Sequence, residues 1–253
     1  MVEQLSLRLE PALPRPGDLA PMWPVPCAEP FDSSDHLFEP AWGGHRVLAY
    51  VDPGDPPAGG GLRLVDGGGL DVAGILPELA GLAARVGARS AVLDAELAVV
   101  DGRGRADDEA LRARLAGEPG RPVALLVFDL LHLDGRWLLG LPLEERRARL
   151  TRILRPGDEV VMVPAIIGEG RALHAAVSAQ GVAGVRARRR TSPYLPGVRS
   201  KLWRTIPASA PVPVGDETGE LPSAMPEAAG YAAGPVLALF LRLPLDEPPA
   251  GEP

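Results

Sequence analysis

The sequence predicts a mixed α+β domain. Three observations carry that prediction. Apolar, strand-like runs occur at 45–51, 62–66 and 122–135. Segments with apolar residues at helical spacing alternate with them, at 107–117 and 143–154. Glycine and proline are abundant (30 and 29), but they gather at the start of the chain, around 53–69 and in the tail, which leaves a globular middle.

Taken in order, residues 1–35 are punctuated by proline and read as irregular. "LFEPAWGGHRVLAYV" (37–51) reads as a glycine-containing loop running into a strand at 45–51. That strand and "LRLVD" (62–66) flank "DPGDPPAGGG" as a hairpin. "AGILPELAGLAARVG" (73–87) has helical spacing, interrupted only by Pro77. "SAVLDAELAVVDGRGR" (90–105) is a strand ending in a turn, and "DDEALRARLAG" (107–117) a short helix with acids in its first turn. "PVALLVFDLLHLDG" (122–135) is nearly all apolar, so it is expected to be a central strand buried on both faces. "LEERRARLTRIL" (143–154) is amphipathic, with Leu143, Leu150 and Leu154 on one stripe. A strand at 159–167, a helix at 170–180, a strand at 181–190 and a Pro/Gly turn leading to a last short strand (192–206) complete the pattern. From 208 the composition is that of a flexible linker, broken by the apolar "PVLALFLRLPL" (235–245). The expected division is an irregular segment at 1–20, a domain at 21–207 and a tail at 208–253.

Composition narrows the function. A formal charge of −7 argues against a protein that coats DNA by bulk electrostatics. The lone Cys27 excludes an internal disulfide and a cysteine-based zinc cluster. No apolar run is long enough to span a membrane and no signal pattern opens the chain, so a cytoplasmic protein without a membrane partner is expected. Lys201 is the sole lysine, so chemistry that needs a side-chain amine has one candidate.

Three stretches bear on chemistry. Asp94 and Glu96 stand two apart on a strand and share a face; taken alone they suit an edge strand with a solvated face. Asp129 interrupts a buried-looking strand, and the ring of Phe128 before it suits the core better than a base-stacking platform. "RARRRTSPYLPGVRSKLWR" carries Arg186, Arg188, Arg189, Arg190, Arg199, Lys201 and Arg204 without an acid. Alternation along the strand would make one face of 186–190 basic. That face is either a phosphate-tracking surface or a solvated edge; Arg186, Arg189, Arg190, Lys201 and Arg204 are the nucleic-acid candidates.

In this order the segments resemble the adenylation (nucleotidyltransferase) domain of ATP-dependent DNA ligases, especially the bacterial end-joining type. "FEPAWGGHR" is similar to the lysine motif K-x-D-G-x-R preceded by F-E, and "VLDAELAVVD" to L-D-G-E-L. "VFDLLHLDGRWL" is nearly literal for F-D-L-L-x-L-D-G. "GVAGVRARRRTSPYLPGVRSKLWR" resembles E-G-x-x-x-K, then S-P-Y-x-P-G-x-R-S and the final lysine motif. The resemblance covers roughly 20–207. It implies a nucleotidyltransferase (ATP-grasp-like) fold, antiparallel sheets with flanking helices and a nucleotide cleft between them. It also implies ATP with Mg as cofactors, and nick sealing in DNA repair and recombination through an enzyme–AMP intermediate.

Carried over by residue, the resemblance gives nucleotide contacts at Glu39 (adenine amino group), Arg46 and Glu96 (ribose), Phe128 (adenine stacking) and Arg188 (the phosphate-binding lysine position). The adenylated lysine itself is Ala41, its neighbouring Asp is Gly43, the metal-binding Glu is Ala183, and the last lysine falls at or beside Thr205. No catalytic residue and no metal ligand is therefore assigned. Arginine stays protonated and cannot attack phosphorus, Lys201 lies far along the chain, and His45 occupies a position not directed at phosphorus. Residues 208–253 are too few and too proline-rich for the OB-fold that follows this domain in family ligases. The expectation is a degenerate, non-adenylating ligase domain. Two alternatives stay open: an ATP- or DNA-end-binding accessory to an active ligase or other repair protein, and a structural interaction domain with a vestigial cleft.

Overall fold

The computed structural model describes residues 19–52, 61–101 and 104–209. Two sheets make up the architecture. One contains β3 (His45–Val51), β4 (Leu62–Asp66), β5 (Ala91–Ala98), β6 (Ala124–Leu133) and β7 (Arg136–Trp137) in the order β4-β3-β5-β6-β7. β8 (Val160–Met162) adds to it by parallel pairing with β6. The other sheet has the order β1-β11-β10-β2-β9. Its strands are β1 (Trp23–Pro26), β2 (Ser33–Ala41), β9 (Ile166–Gly168), β10 (Gly184–Arg189) and β11 (Arg199–Pro207). Pairing is antiparallel except for β1–β11 and β6–β8.

The 45–66 hairpin forms with Val51 opposite Leu62; its loop and the 235–245 segment lie outside the described residues, as do the first 18 residues and those after 209. β6 is central and buried along nearly its whole length, because both neighbouring strands and both faces cover it. It ends in a two-residue turn, Asp134 (φ 46) and Gly135 (φ 84), a pairing that suits the right-handed twist of a hairpin. Helices α1 (Asp108–Leu115), α2 (Leu143–Ile153) and α3 (Gly170–Gln180) fall on the predicted segments. Asp107 caps α1 by accepting the Ala110 amide at 2.9 Å.

Four expectations need correction. Residues 73–87 form two 3-10 segments, Ala73–Ile75 and Pro77–Arg85, and no α-helix. Pro77 has no amide N–H and stands where one α-helix would need to continue, while Gly74 and Gly81 weaken helical propensity further. The run 159–167 is not one strand: β8 and β9 belong to different sheets, and the chain passes between them at Pro164. Part of 1–35 is regular, since β1 and the start of β2 lie there. β1 is an edge strand, where prolines such as Pro24 and Pro26 are tolerated. β2 also continues to Ala41, so the expected loop shrinks to Trp42–Gly44.

Alternation sorts the side chains into layers. Val47, Ala49, Leu93, Ala95, Leu97, Leu125 and Val127 face the 3-10 segments, α1 and α2. The opposite side of that sheet carries Arg46, Leu48, Asp94, Glu96, Leu126 and Phe128 and faces the second sheet. A separate cluster, including Phe38, Val185, Ala187 and Ile206, packs on Leu173 and Val177 of α3.

One ion pair beneath the outer layer carries a pH dependence. Glu78 accepts the Val123 amide (2.9 Å) and the Arg114 guanidinium (2.9 Å). Burial raises its pKa, but these bonds outweigh burial and hold it below the ordinary carboxylate value. A depressed folded-state pKa adds stability above the unfolded value of about 4.3, and that stability is lost as pH falls through the folded value. Glu78→Gln should flatten the acid limb of a urea-midpoint profile below about pH 4.3, and an unchanged limb would refute the assignment.

Candidate functional site

Every residue assigned to nucleotide contact lies at the junction of the two sheets, and each is engaged by neighbouring side chains there. Glu39 reaches inward from β2, and its carboxylate is met by Arg188 from β10 and by Arg147 from α2 (2.5 Å). Both arginines also donate to the carbonyl of Phe128, at 3.0 and 2.8 Å, and Arg147 donates to the Val163 carbonyl at 2.8 Å. Arg46 holds Asp94 with two hydrogen bonds of 2.5 Å, and Tyr194 donates its hydroxyl to the same carboxylate at 2.8 Å. Glu96 accepts Arg186 from the opposite sheet at 2.8 Å and the amide of Gly44 at 3.0 Å. Asp129 is gripped by Arg146 at 2.9 and 2.7 Å.

The expectation that Asp94 and Glu96 sit on a solvated edge is therefore overturned. β5 lies inside its sheet, and the two carboxylates are 0% and 5% exposed. Burial at this cost is sustained because each has a guanidinium partner. The alternation predicted for 186–190 does occur, but its basic face points inward: Arg186 and Arg188 are buried, while Arg189 and Arg190 pair near the surface with Asp35 and Glu144. Lys201 is exposed, and Arg204 is half-buried on the outer side of β11.

Phe128 is wholly buried, and the guanidinium carbons of Arg46, Arg186 and Arg188 lie 4.5, 4.5 and 4.9 Å from its ring centroid. Cations are drawn to the negative face of an aromatic ring. The π surface that would receive a base is thus covered by arginines whose own partners are Asp94, Glu96 and Glu39. Charge is not balanced within the cluster. Arg46, Arg146, Arg147, Arg186 and Arg188 face Glu39, Asp94, Glu96 and Asp129, five cations against four anions. Burial pushes the Arg188 pKa below its ordinary value, and the neighbouring Arg147 adds to this against the pull of Glu39 and Asp129. Arg46 is raised despite burial, chiefly by Asp94. Burial, then Asp94, drives the Tyr194 hydroxyl well above its usual value, so it remains a donor at neutral pH.

The turn at the head of the cleft is tightly packed. Ala41 is buried opposite Gly184, and Trp42 donates its indole N–H to the Gly104 carbonyl at 3.1 Å. Gly43 takes φ 78, and a Cβ built on it would lie 3.3 Å from the Cβ of Ala183. A Cβ on Gly44 would sit 2.1 Å from the Leu97 carbonyl oxygen, so only glycine allows the turn to press against β5. His45, beside it, lies 3.4 Å from Asp66 and points away from Phe128's cluster.

Neither ATP nor a metal fits these residues as they stand. Adenine would have to displace Arg46 and Arg186 from Phe128, stripping Asp94 and Glu96 of their counter-charges. Among the described residues no group of three or more His, Cys, Asp and Glu is placed to hold a metal ion. Nor, among them, is any helix long and apolar enough to cross a membrane. Sequence reasoning missed Arg146, Arg147 and Tyr194. The two arginines follow Leu143 by three and four positions, on the same stripe as Leu150, and that spacing was the available signal.

Comparison with known proteins agrees with this fold. The family model described as ATP dependent DNA ligase domain matches residues 73–206, more than half of the chain. The multifunctional non-homologous end joining DNA repair protein LigD of Mycobacterium tuberculosis is 34% identical over 171 residues, 68% of this chain and 21% of that protein. A probable DNA ligase of Rhodococcus opacus is 38% identical over 141 residues, 54% of this chain and 28% of that protein. The chain thus spans between about a fifth and just over a quarter of the length of these relatives. Among solved structures, mycobacterial DNA ligase D complexed with ATP and MES superposes with a TM-score of 0.63 at 31% identity, covering 75% of this chain and 60% of that one. The ligase domain of M. tuberculosis LigD gives 0.61 at 31% identity, covering 74% and 58%. The mixed α+β architecture, the order of its motifs and the extent of these matches lead to one assignment: this chain belongs to the ATP-dependent DNA ligase family.

Proposed function

We propose that this chain is a non-adenylating member of its family, a degenerate ligase domain that serves DNA end joining without carrying AMP. One observation carries the reading. Where the resemblance requires a lysine amine, Ala41 presents a buried methyl group, and the residues that would surround the nucleotide neutralise one another. Covalent catalysis needs a nucleophile, and none of the surrounding side chains supplies one, since guanidinium stays protonated at neutral pH. Gly43 and Ala183, which stand at the positions of the family Asp and metal-binding Glu, carry no carboxylate, so the electrostatic part of the mechanism is removed as well.

The pairing also favours one alternative over the other. Nucleotide binding by Glu39, Arg46, Glu96, Phe128 and Arg188 would require breaking at least two buried ion pairs, so the cleft supports a vestigial, structural role better than ATP binding. The domain would then act as a structural, protein-interaction domain with a vestigial cleft.

The deciding experiment is incubation with α-labelled ATP and a divalent metal, followed by denaturation. No label should remain on the protein, and a stable protein–AMP adduct would sink the proposal. Calorimetric titration with ATP then separates the two alternatives: the vestigial reading expects no heat of binding at millimolar ATP.

A further inference from the structure

A sheet edge offers unpaired N–H and C=O groups to any strand that meets them. The edges here are β1 and β9 in one sheet, β4 in the other, and on its far side β7 and β8, which both lie beside β6. Four of these five are closed. β1 turns the amides of Trp23 and Cys27 toward β11, where they donate to the Val198 and Thr205 carbonyls at 2.9 Å. Alternation therefore turns Pro24 and Pro26 outward, and proline has no N–H to offer. The outer groups of β4 are taken by the chain that follows it. Leu64 gives its amide to the Asp71 carboxylate at 3.0 Å and accepts the Val72 amide at 2.9 Å, while the Asp66 amide donates to the Leu70 carbonyl at 3.0 Å. On β8, Val160 exchanges both of its backbone groups with Gly157, at 2.8 and 3.3 Å. β7 is two residues long, and its continuation turns back to β6, where the Leu138 amide donates to the Leu131 carbonyl at 2.8 Å.

Only β9 is left open. Among the described residues no hydrogen bond reaches Ile166–Gly168 from the side away from β2, and no proline interrupts the strand. Both of its faces are apolar. Ile166, opposite Phe38, packs against the cluster that includes Leu173 and Val177 of α3, and Ile167, opposite Leu37, is 51% exposed on the other face.

The chain also carries a segment that matches this edge. "PVLALFLRLPL" (235–245), outside the described residues, has leucine at every odd position from 237 to 245 and Val236, Ala238 and Phe240 at even ones. As a strand it has two apolar faces, like β9. Its attachment point lies on the right side of the molecule. The last described residues run beside α3, where the Ala208 amide donates to the Ala183 carbonyl at 2.9 Å and the Ser209 amide to the Ser178 hydroxyl at 3.1 Å. From Ser178 back along α3 to Gly170, and two residues further to Gly168, is about 20 Å. A linker of the length and composition of 210–234 spans about 25–30 Å. Span and gap are thus comparable, the condition under which a tethered segment has an effective concentration in the millimolar range. The chain's own segment then outcompetes that of a second copy at micromolar protein.

The geometry points to strand addition within one chain: residues 235–245 pair with the open edge of β9 and extend that sheet by one strand. Main-chain bonds hold the segment, and its alternate side chains continue the Ile166 and Ile167 faces. The edge through which the domain would otherwise pair with a foreign strand is thereby capped. This interaction goes beyond the proposed function and does not depend on what the cleft does.

Hydrogen exchange of the full chain, read by mass spectrometry, tests it. Amides of 236–243 should exchange about tenfold or more slowly than in a free peptide of the same sequence. Leu239→Pro with Phe240→Pro removes a donor from each edge of the segment, whichever edge faces β9, and touches nothing in the described fold. In that variant protection should be lost both in the segment and at 165–168, while β5 and β6 keep theirs. Free-peptide exchange of 236–243 in the wild-type chain would overturn the proposal. Protection there that leaves 165–168 unchanged in the proline variant would place the segment on another surface and overturn it too. If protection falls on dilution and sedimentation shows a dimer at the higher concentration, a second copy supplies the strand and pairing within one chain is refuted.

Discussion

Glu39→Gln should lower the stability of the domain by about 3–5 kcal/mol, the cost of breaking a buried ion pair by removing one partner. The substitution keeps nearly the same shape and removes only charge. Arg147 and Arg188 converge on this carboxylate, and both are buried. Without it the cluster changes from five cations against four anions to five against three, with the guanidiniums of α2 and β10 left to repel each other. The glutamine amide also turns a donor toward them where an acceptor stood. Glu145→Gln is the matching control, since Glu145 pairs with Arg149 at 3.9 Å on the surface and should change stability by less than about 0.5 kcal/mol. Urea midpoints at pH 7 give both values. A loss at Glu39 no larger than that at Glu145 would mean the cluster does not hold the sheets together.

Phe128→Ala should cost a comparable amount, about 3–5 kcal/mol, because the ring is fully buried and its removal leaves a cavity. Here the loss exceeds transfer alone, since Arg46, Arg186 and Arg188 would lose the ring face on which they lie. Phe128→Leu keeps most of the volume but no π surface, so the difference between the two variants measures the filling of space apart from the cation–π contact. The same pair of variants separates two roles for this residue. A ring that serves adenine would, on truncation, reduce ATP affinity with little loss of stability. A ring that serves the core should show the reverse.

Much of the architecture was legible because its causes are local. Alternating or continuous apolar runs specified β3 to β6 and β10, and acids in the first turn marked α1. The errors have local causes too. Prolines were read as breaks, yet β1 tolerates them at a sheet edge, and Pro164 sends the chain from one sheet to the other between β8 and β9. The ionic cluster was less legible because its partners are far apart in sequence. Asp94 gives no sign that Arg46 will meet it, and Glu96 none that Arg186 will cross from the other sheet. Such residues look solvated until the fold brings their counter-charges to them. Arg146 and Arg147 were hidden by a rule of thumb, that charged residues on an amphipathic helix face water, although their spacing from Leu143 placed them on the apolar stripe.

The order of strands along the chain gives the molecule a timetable. β3 to β8 occupy the unbroken stretch from residue 45 to residue 162, whereas the other sheet takes β1 and β2 from before that stretch and β9, β10 and β11 from after it. During synthesis, Glu39 leaves the ribosome 149 positions ahead of Arg188, a delay on the order of ten seconds at typical elongation rates. Through that interval one sheet can assemble from what has already been made, while β2 waits with an unpaired edge for the strand that will neutralise it.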